Sequence, residues 1–318
     1  MNLVARGTRA GRRRGLAALL AAAVGCALFL TLTGWCRPPG TTGAQEQEPS
    51  RSVDPQGGDP PAVARPSGAG TPPPTAAPQR AADSTYTLLQ MNVCLSGLAG
   101  CWEDAAYPAV VREAVARIRG ARPDAVTLNE ACRGDVERIA RRSGYHLRFS
   151  RVIYRGSRLP CIDPGGRGLF GDAVLTRAPI IDSEHRAFRA QSGIEQRRWL
   201  CATTRRDVDV CTTHLNTRTT ATSSATNDAQ CAELGALLAR RAAARGFVFG
   251  GDVNRLGSCA PESAWTRSDI TAGQSPGIQH AYGSRAALRA PAARALPARY
   301  SNHDVLLVRA RLAPRGRQ

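Results

Sequence analysis

Seven polar residues stand where apolar runs stop: Asn92 after TYTLLQM, Glu130 after DAVTLN, His214 and Asn216 in DVDVCTTHLNT, Asp252 and Asn254 in FVFGGDVNR, and His303 just ahead of DVLLVRARL. Ends of neighbouring strands converge in space, so these groups are expected to share one cleft. Glu130, helped by Asn92, supplies hard oxygen ligands of the kind Mg²⁺ accepts, while the ion keeps several waters and takes its other positions from substrate phosphate. Such an ion stabilises charge on a phosphoryl oxygen and on the leaving group. His214 and His303 can give protons or hydrogen bonds to a phosphate whose negative charge grows in the transition state. Asp252 can orient or deprotonate an attacking water. Asn254, two residues on along an extended chain, points to the same side and can hold phosphate without adding repulsive charge. The plainer uses are turn formation for Asn92, Asn216, Asp252 and Asn254, and a solvated helix-start carboxylate for Glu130.

The elements that must position these groups follow from periodicity. TYTLLQMNV reads as a strand, and AAYPAVVREAVARIRG places Val111, Val115 and Ile118 on one helical face with Gly120 as its stop. DAVTLNE is a second buried strand ending in its carboxylate, DVERIARRSG a short helix, and YHLRFS a third strand. LFGDAVLTR, RRWLCATTR and DVDVCTTHLNT follow as strands, the last two joined by a turn near Arg205 to Asp207. TNDAQCAELGALLARRAAARG is an amphipathic helix with Cys231, Leu234, Leu237 and Leu238 inward; GFVFGGD and HDVLLVRARL complete the strands. Helices interleave with strands that also follow one another directly, which argues for a pair of mixed sheets covered by helices.

The flanks are not globular. Five arginines between Arg6 and Arg14 precede the uncharged run Leu16 to Trp35, so residues 1–36 read as a signal peptide or signal anchor that can tether the chain to a membrane. Residues 37–83, dense in proline and glycine, read as a disordered tether, 84–313 as the catalytic domain and 314–318 as a tail. The chain carries +18, without a single lysine. Beyond residue 84 there remain 34 arginines against 20 acids, a net +14, which suits a polyanion as well as it suits GC-rich coding. Eight cysteines in an exported domain point to disulfides, with Cys94–Cys101 and Cys201–Cys211 the expected local pairs.

The ordered segments LLQMNV, PDAVTLNEAC, GDAVLTRAPI, the THL of CTTHLNT, FVFGGDVNR and YSNHDVLLVRARL together resemble the endonuclease/exonuclease/phosphatase superfamily with the deoxyribonuclease fold, from Thr85 to Leu312. The resemblance implies a four-layer α/β/β/α sandwich of two mixed β-sheets with its site at one end. It also implies Mg²⁺-dependent hydrolysis, with Mn²⁺ or Ca²⁺ as alternatives, and no covalent intermediate. Glu130 would be the main metal ligand and Asn92 its direct or indirect partner, Asp252 would align water, Asn254 would hold phosphate, and His214 and His303 would stabilise the oxyanion and leaving group. Two positions depart from the pattern. Asn302 stands where an aspartate usually precedes the last histidine and keeps only weak metal-binding capacity; Gln279 stands where an aspartate orients that histidine, so either Asp304 or His280 compensates or the activity is low. Asp172 sits where the family often has asparagine.

The favoured reading is an exported, monomeric Mg²⁺-dependent phosphodiesterase acting on DNA. A lipid, sphingomyelin or inositol-phosphate phosphodiesterase is the first alternative, and a surface-binding protein with a weakened site the second. The loop arginines Arg155, Arg158 and Arg167 are candidate phosphate contacts, and Trp102, Trp199 and Trp265 are expected in the core or at its rim.

Overall fold

The computed structural model describes residues 85–98, 105–270 and 277–313. The expected leader, tether and tail, together with Cys101 and Trp102, lie outside the described residues. Among the described residues the chain forms β1 (Thr85–Asn92), α1 (Ala109–Ala121), β2 (Ala125–Cys132), α2 (Arg133–Ser143), β3 (His146–Arg151), the short β4 (Ile153–Tyr154) and β5 (Ser157–Arg158), β6 (Phe170–Thr176), β7 (Ile180–Ala187) and β8 (Glu195–Gln196). There follow β9 (Arg198–Thr204), β10 (Asp209–Thr213), α3 (Ala221–Ala244), β11 (Phe247–Asp252), β12 (Ala264–Ser268), β13 (Gln279–Ser284), β14 (Leu288–Leu296) and β15 (Val305–Leu312).

Two six-stranded sheets, ordered β14-β15-β1-β2-β6-β3 and β12-β13-β11-β10-β9-β7, carry most of these strands, and β5-β4-β8 make a small third sheet. Each large sheet contains one parallel pair, β1 with β2 and β10 with β11, and is otherwise antiparallel. A parallel pair needs a crossover, and the crossovers here are helical, through α1 and α3. The side-chain period of two then sorts the layers. Leu89, Met91, Val126 and Leu128 face outward to meet Val111, Val115 and Ile118 of α1. Phe247, Phe249 and Tyr282 face outward on the other side to meet Leu234, Leu237 and Leu238 of α3. Tyr86, Leu88, Val174, Leu200, Val210, Val248 and Val308 fill the space between the sheets. The result is the expected α/β/β/α sandwich.

Several boundaries differ from the sequence reading. α1 runs through Gly120 and ends on Arg122 in the left-handed region at φ 46°, whose N–H bonds Ile118 O, so a favourable C-terminal hydrogen bond outweighs the glycine stop. α3 starts at Ala221, five residues early, because Thr220 and Ser223 form a reciprocal capping box there. β2 does not end at Glu130 but bulges there and continues to Cys132. Trp199 and Trp265 are core residues.

Disulfides join Cys132–Cys161, Cys201–Cys211 and Cys231–Cys259, the second pairing residues directly opposite on β9 and β10 as expected. Cys94 is also disulfide-bonded. No helix among the described residues is long and apolar enough to cross a membrane.

The GG of FVFGGD has a packing cause. A Cβ at Gly250 would lie 2.3 Å from Thr127 Oγ1 of the opposite sheet and 3.2 Å from Leu88 Cδ2. The sheets close only because this position is bare. Gly250→Ala is expected to destabilise by about 1–3 kcal/mol through overpacking, read as a lowered urea midpoint; an unchanged midpoint would mean that the sheets part without penalty.

Candidate active site

Between the sheets the interior changes character along its length. The inward positions of β1 run Tyr86, Leu88, Gln90, Asn92; those of β2 run Ala125, Thr127, Asn129; and β10 and β11 offer Val210 then Thr212, and Val248 then Gly250 and Asp252. One end is hydrocarbon and the other is a layer of buried amides, hydroxyls and carboxylates. Buried polar groups persist only when paired, and these are. Thr127 Oγ1 donates to Gln90 Oε1 at 2.5 Å, and Gln90 Nε2 to Asn129 Oδ1 at 2.7 Å. Asn129 Oδ1 also accepts the Asp252 N–H from the other sheet at 2.9 Å, and Asn129 Nδ2 donates to Asp172 at 2.9 Å.

The expected residues sit on top of this layer. At β2, Leu128 pairs with Ala173 and Ala131 with Gly171, so Asn129 and Glu130 share a bulge opposite Asp172. Glu130 takes φ 54° to do so. A bulge re-aims a side chain, and a non-glycine residue held at positive φ beside a polar cluster marks a site where geometry outranks local comfort. Asn92 Nδ2 bridges Glu130 Oε1 at 2.9 Å and Asp252 Oδ2 at 3.2 Å, while its Oδ1 accepts the Cys94 N–H. His214, joined to Asp252 by an isolated parallel bridge, places Nδ1 3.8 Å from Glu130 Oε1 and Nε2 3.9 Å from Asp252 Oδ2. Gly251 permits this, since a Cβ there would lie 2.4 Å from Thr213 O. His303 arrives on the turn before β15, held by Ser301 Oγ donating to Asn92 O at 2.8 Å, and sets Nε2 3.9 Å from Asp252 Oδ2. Asn92, Glu130, His214, Asp252 and His303 therefore form one cluster.

Asn254 adjoins it at φ 52°, its N–H donating to Asp252 Oδ1 at 3.0 Å and its Nδ2 to Leu215 O at 2.9 Å. Asn302 has an exposed side chain that takes no part in these hydrogen bonds. Asn216 anchors a loop instead, through Ser192 Oγ at 2.6 Å and Gln230 Oε1 at 2.9 Å. Arg167 is buried and spent on Asp135 and the carbonyls of Asp163 and Pro164.

Gln279 is the informative departure. Its Oε1 accepts from Asn92 N–H and Gln90 Nε2, and its Nε2 donates to Asp269 Oδ2 and Asp304 O. It stitches the two sheets and does not touch His303. Neither expected substitute does: His280 faces outward onto Tyr282 Oη at 2.6 Å, burial pushing its ring down to about 4, and Asp304 Oδ1 accepts the Ala298 N–H. His303 Nδ1 is left buried and without a hydrogen-bond partner.

Sequence reasoning missed the support layer of Gln90, Thr127, Asn129 and Thr212, although polar residues at every second position of a buried strand were a legible signal. It also missed Arg197, one arginine among many. Arg197 is buried, ion-paired to Glu195 at 2.8 Å, and its charge acts on Glu130, Asp172, His214 and Asp252. Burial raises the Glu130 carboxyl, reinforced by Asp252 and opposed by the Asn92 hydrogen bond. Burial likewise raises Asp252, opposed by His303. Burial, with Arg197 and His303, holds His214 well below the imidazole range, so this ring is neutral.

Two buried carboxylates drawn together around one amide suit a hard divalent cation, which needs only one or two protein carboxylates when it is Mg²⁺. Among the described residues no group of three or more His, Cys, Asp or Glu is gathered closely enough to hold a metal ion by itself.

The fold recurs in solved structures. An endonuclease/exonuclease/phosphatase from Beutenbergia cavernae is 20% identical with a TM-score of 0.53, covering 72% of each chain. The human Nocturnin catalytic domain with bound sulfate is 17% identical at 0.53, covering 72% of this chain and 95% of that one, and truncated Caenorhabditis elegans TDP2 is 14% identical at 0.51, covering 71% and 98%. At such identities the likeness is one of fold, and it sets the class: a two-sheet α/β sandwich. The sequence model of the Endonuclease/Exonuclease/phosphatase family matches residues 100–309, and the chain belongs to that family, hydrolases acting on phosphate ester bonds. No curated protein is significantly similar in sequence.

Asp172 beside the cluster gives a stability test. Burial pushes its carboxyl up to about 7, against the Asn129 hydrogen bond and Arg197. The unfolded value is about 3.9, so between about pH 4 and 7 the native chain holds a proton that the unfolded chain releases, and stability falls as pH rises through that window. Asp172→Asn is expected to flatten this fall, leaving the variant more stable than the parent at pH 8 and level with it near pH 4 in urea unfolding. Parallel pH curves for the two proteins would overturn the assignment.

Proposed function

We propose that the chain is an exported, Mg²⁺-dependent phosphodiesterase that cleaves DNA. The observation that carries the reading is the convergence on Asp252 Oδ2 of Asn92 Nδ2 at 3.2 Å and of one nitrogen each of His214 and His303 at 3.9 Å, with Glu130 bridged to the same amide. Glu130 would hold the ion and Asn92 would steady Glu130. When bound, the ion supplies charge stabilisation on a phosphoryl oxygen.

The residues do the rest. Burial raises Asp252 and so makes it a stronger base, able to orient a water and accept its proton as oxygen attacks phosphorus. Its Oδ1 is fixed by the Asn254 N–H, which leaves Oδ2 facing the cluster. Neutral His214 donates one hydrogen bond to a phosphoryl oxygen without needing protonation, His303 approaches from the opposite sheet to serve the leaving oxygen, and Asn254 offers phosphate its remaining amide hydrogen. The excess of arginine supports a polyphosphate substrate, because phosphate contacts supply most non-specific affinity for nucleic acid. The three disulfides fit an oxidising compartment, and the apolar run at residues 16–35 supports export and can serve as a membrane tether.

Supercoiled plasmid should be nicked with Mg²⁺ and spared with EDTA, while sphingomyelin is left intact. Glu130→Gln should abolish nicking, and His214→Ala should slow it by about 10²-fold, the usual penalty for losing one transition-state donor, with the circular dichroism spectrum unchanged. Full turnover by either variant, or nicking that ignores EDTA, would sink the mechanism; hydrolysis of sphingomyelin alone would replace the substrate.

A further inference from the structure

β3 and β7 are the free edges of the two large sheets on the same side of the sandwich. A groove of about 410 Å³ runs there, lined by Arg133, Glu137, Arg148, Arg151 and His185 among others, and Arg198 adjoins it through His185. Arg198 Nη2 lies 3.3 Å from His185 Nδ1, its Nη1 reaches only Gln196 Oε1 at 2.9 Å, and its Nε is buried with no hydrogen-bond partner. Arg148 bonds a hydroxyl, Ser183 Oγ at 3.1 Å, and a carbonyl. Arg133 pairs with Glu137 at 3.0 Å, but among the described residues Arg148, Arg151 and Arg198 have no carboxylate partner. The cost of this crowding is visible: burial and the neighbouring Arg151 push the Arg198 guanidinium below its ordinary value, and burial with both arginines pushes His185 down.

Charged edge strands discourage edge-to-edge association, and isolated arginines would serve that end. Here the one acid that lines the groove, Glu137, is taken by Arg133, which leaves Arg148, Arg151 and the partly buried Arg198 as positive charge that an anion can complete. The strands beside the groove also adjoin the polar cluster. Arg151 pairs with Gly171, next to Asp172, and the Arg198 carbonyl accepts the Thr213 hydroxyl at 2.7 Å, one residue before His214.

We infer that this groove is a non-catalytic docking site for the phosphates of a nucleic-acid strand, whose path continues into the site of cleavage; this rests on the nuclease reading and adds where the substrate is gripped. A recessed channel between two strand edges suits a chain of phosphates better than it suits the flat face of a bilayer.

Binding is measured by fluorescence anisotropy of a labelled twelve-nucleotide DNA with the full chain in EDTA, so that no turnover is needed. Arg151→Gln/Arg198→Gln should weaken binding by about tenfold or more and lower the slope of log affinity against log salt by about two, near one for each phosphate that is no longer neutralised. The control is Arg289→Gln/Arg311→Gln, which removes the same charge from an exposed pair on β14 and β15, and it should shift binding far less. Arg148→Gln/Arg151→Gln repeats the test without touching the partly buried Arg198. Hydrolysis of bis(4-nitrophenyl) phosphate should be equal in the parent and both groove variants. Equal losses of affinity in groove and control variants would overturn the inference, as would phosphatidylserine vesicles competing with the same dependence on Arg151 and Arg198. If the parent hydrolyses no small diester, the catalytic reading fails while the binding result still stands on its own.

Discussion

Everything at the active end of this molecule depends on a buried polar layer that joins two sheets. Asn129 is its centre: one carboxamide accepts from Gln90 on its own sheet and from the Asp252 backbone on the other, and donates to Asp172. Leaving one such group unpaired costs about 1–3 kcal/mol, so the layer holds only if every member is placed at once. That demand fixes the spacing of the sheets, and the spacing in turn fixes where the carboxylates and imidazoles above it stand. The bare Gly250 is the steric side of the same constraint, and the bulge at Glu130 is its backbone side.

The arrangement separates two tasks. The hydrocarbon half of the inter-sheet space, around Leu88, Val174, Val210 and Val248, supplies non-directional burial. The amide half contributes direction. Burial then tunes the titration of these groups without any further device: it raises Glu130 and Asp252 and keeps His214 neutral, so two carboxyls held above their ordinary range and an uncharged imidazole coexist within one cluster.

Much of this was legible in the chain. Runs such as TYTLLQMN and FVFGGD announce buried strands by period and composition, and a polar residue at the end of each announces a site because strand ends converge. What was not legible depends on pairing across the sheets. The local pattern puts the stop at Gly120, whereas the helix runs on until the left-handed Arg122 caps it through Ile118 O. No local pattern separates Arg197 from its neighbour Arg198, although the charge of one acts on Glu130 and Asp252 and the other lies beside His185. Gln279 illustrates the deeper limit. Its type suggested a missing partner for His303, whereas its four hydrogen bonds show a group fully employed elsewhere.

That employment constrains how the chain can change over generations. A carboxylate at position 279 would confront Asp269 with a like charge and strip a donor from the Asp304 carbonyl, so the residue that the family resemblance leads one to expect is the disruptive one here. Because Gln279 and Asp269 are in direct contact, substitutions at the two positions are expected to be non-additive, and a carboxylate at 279 is accommodated only if 269 changes with it.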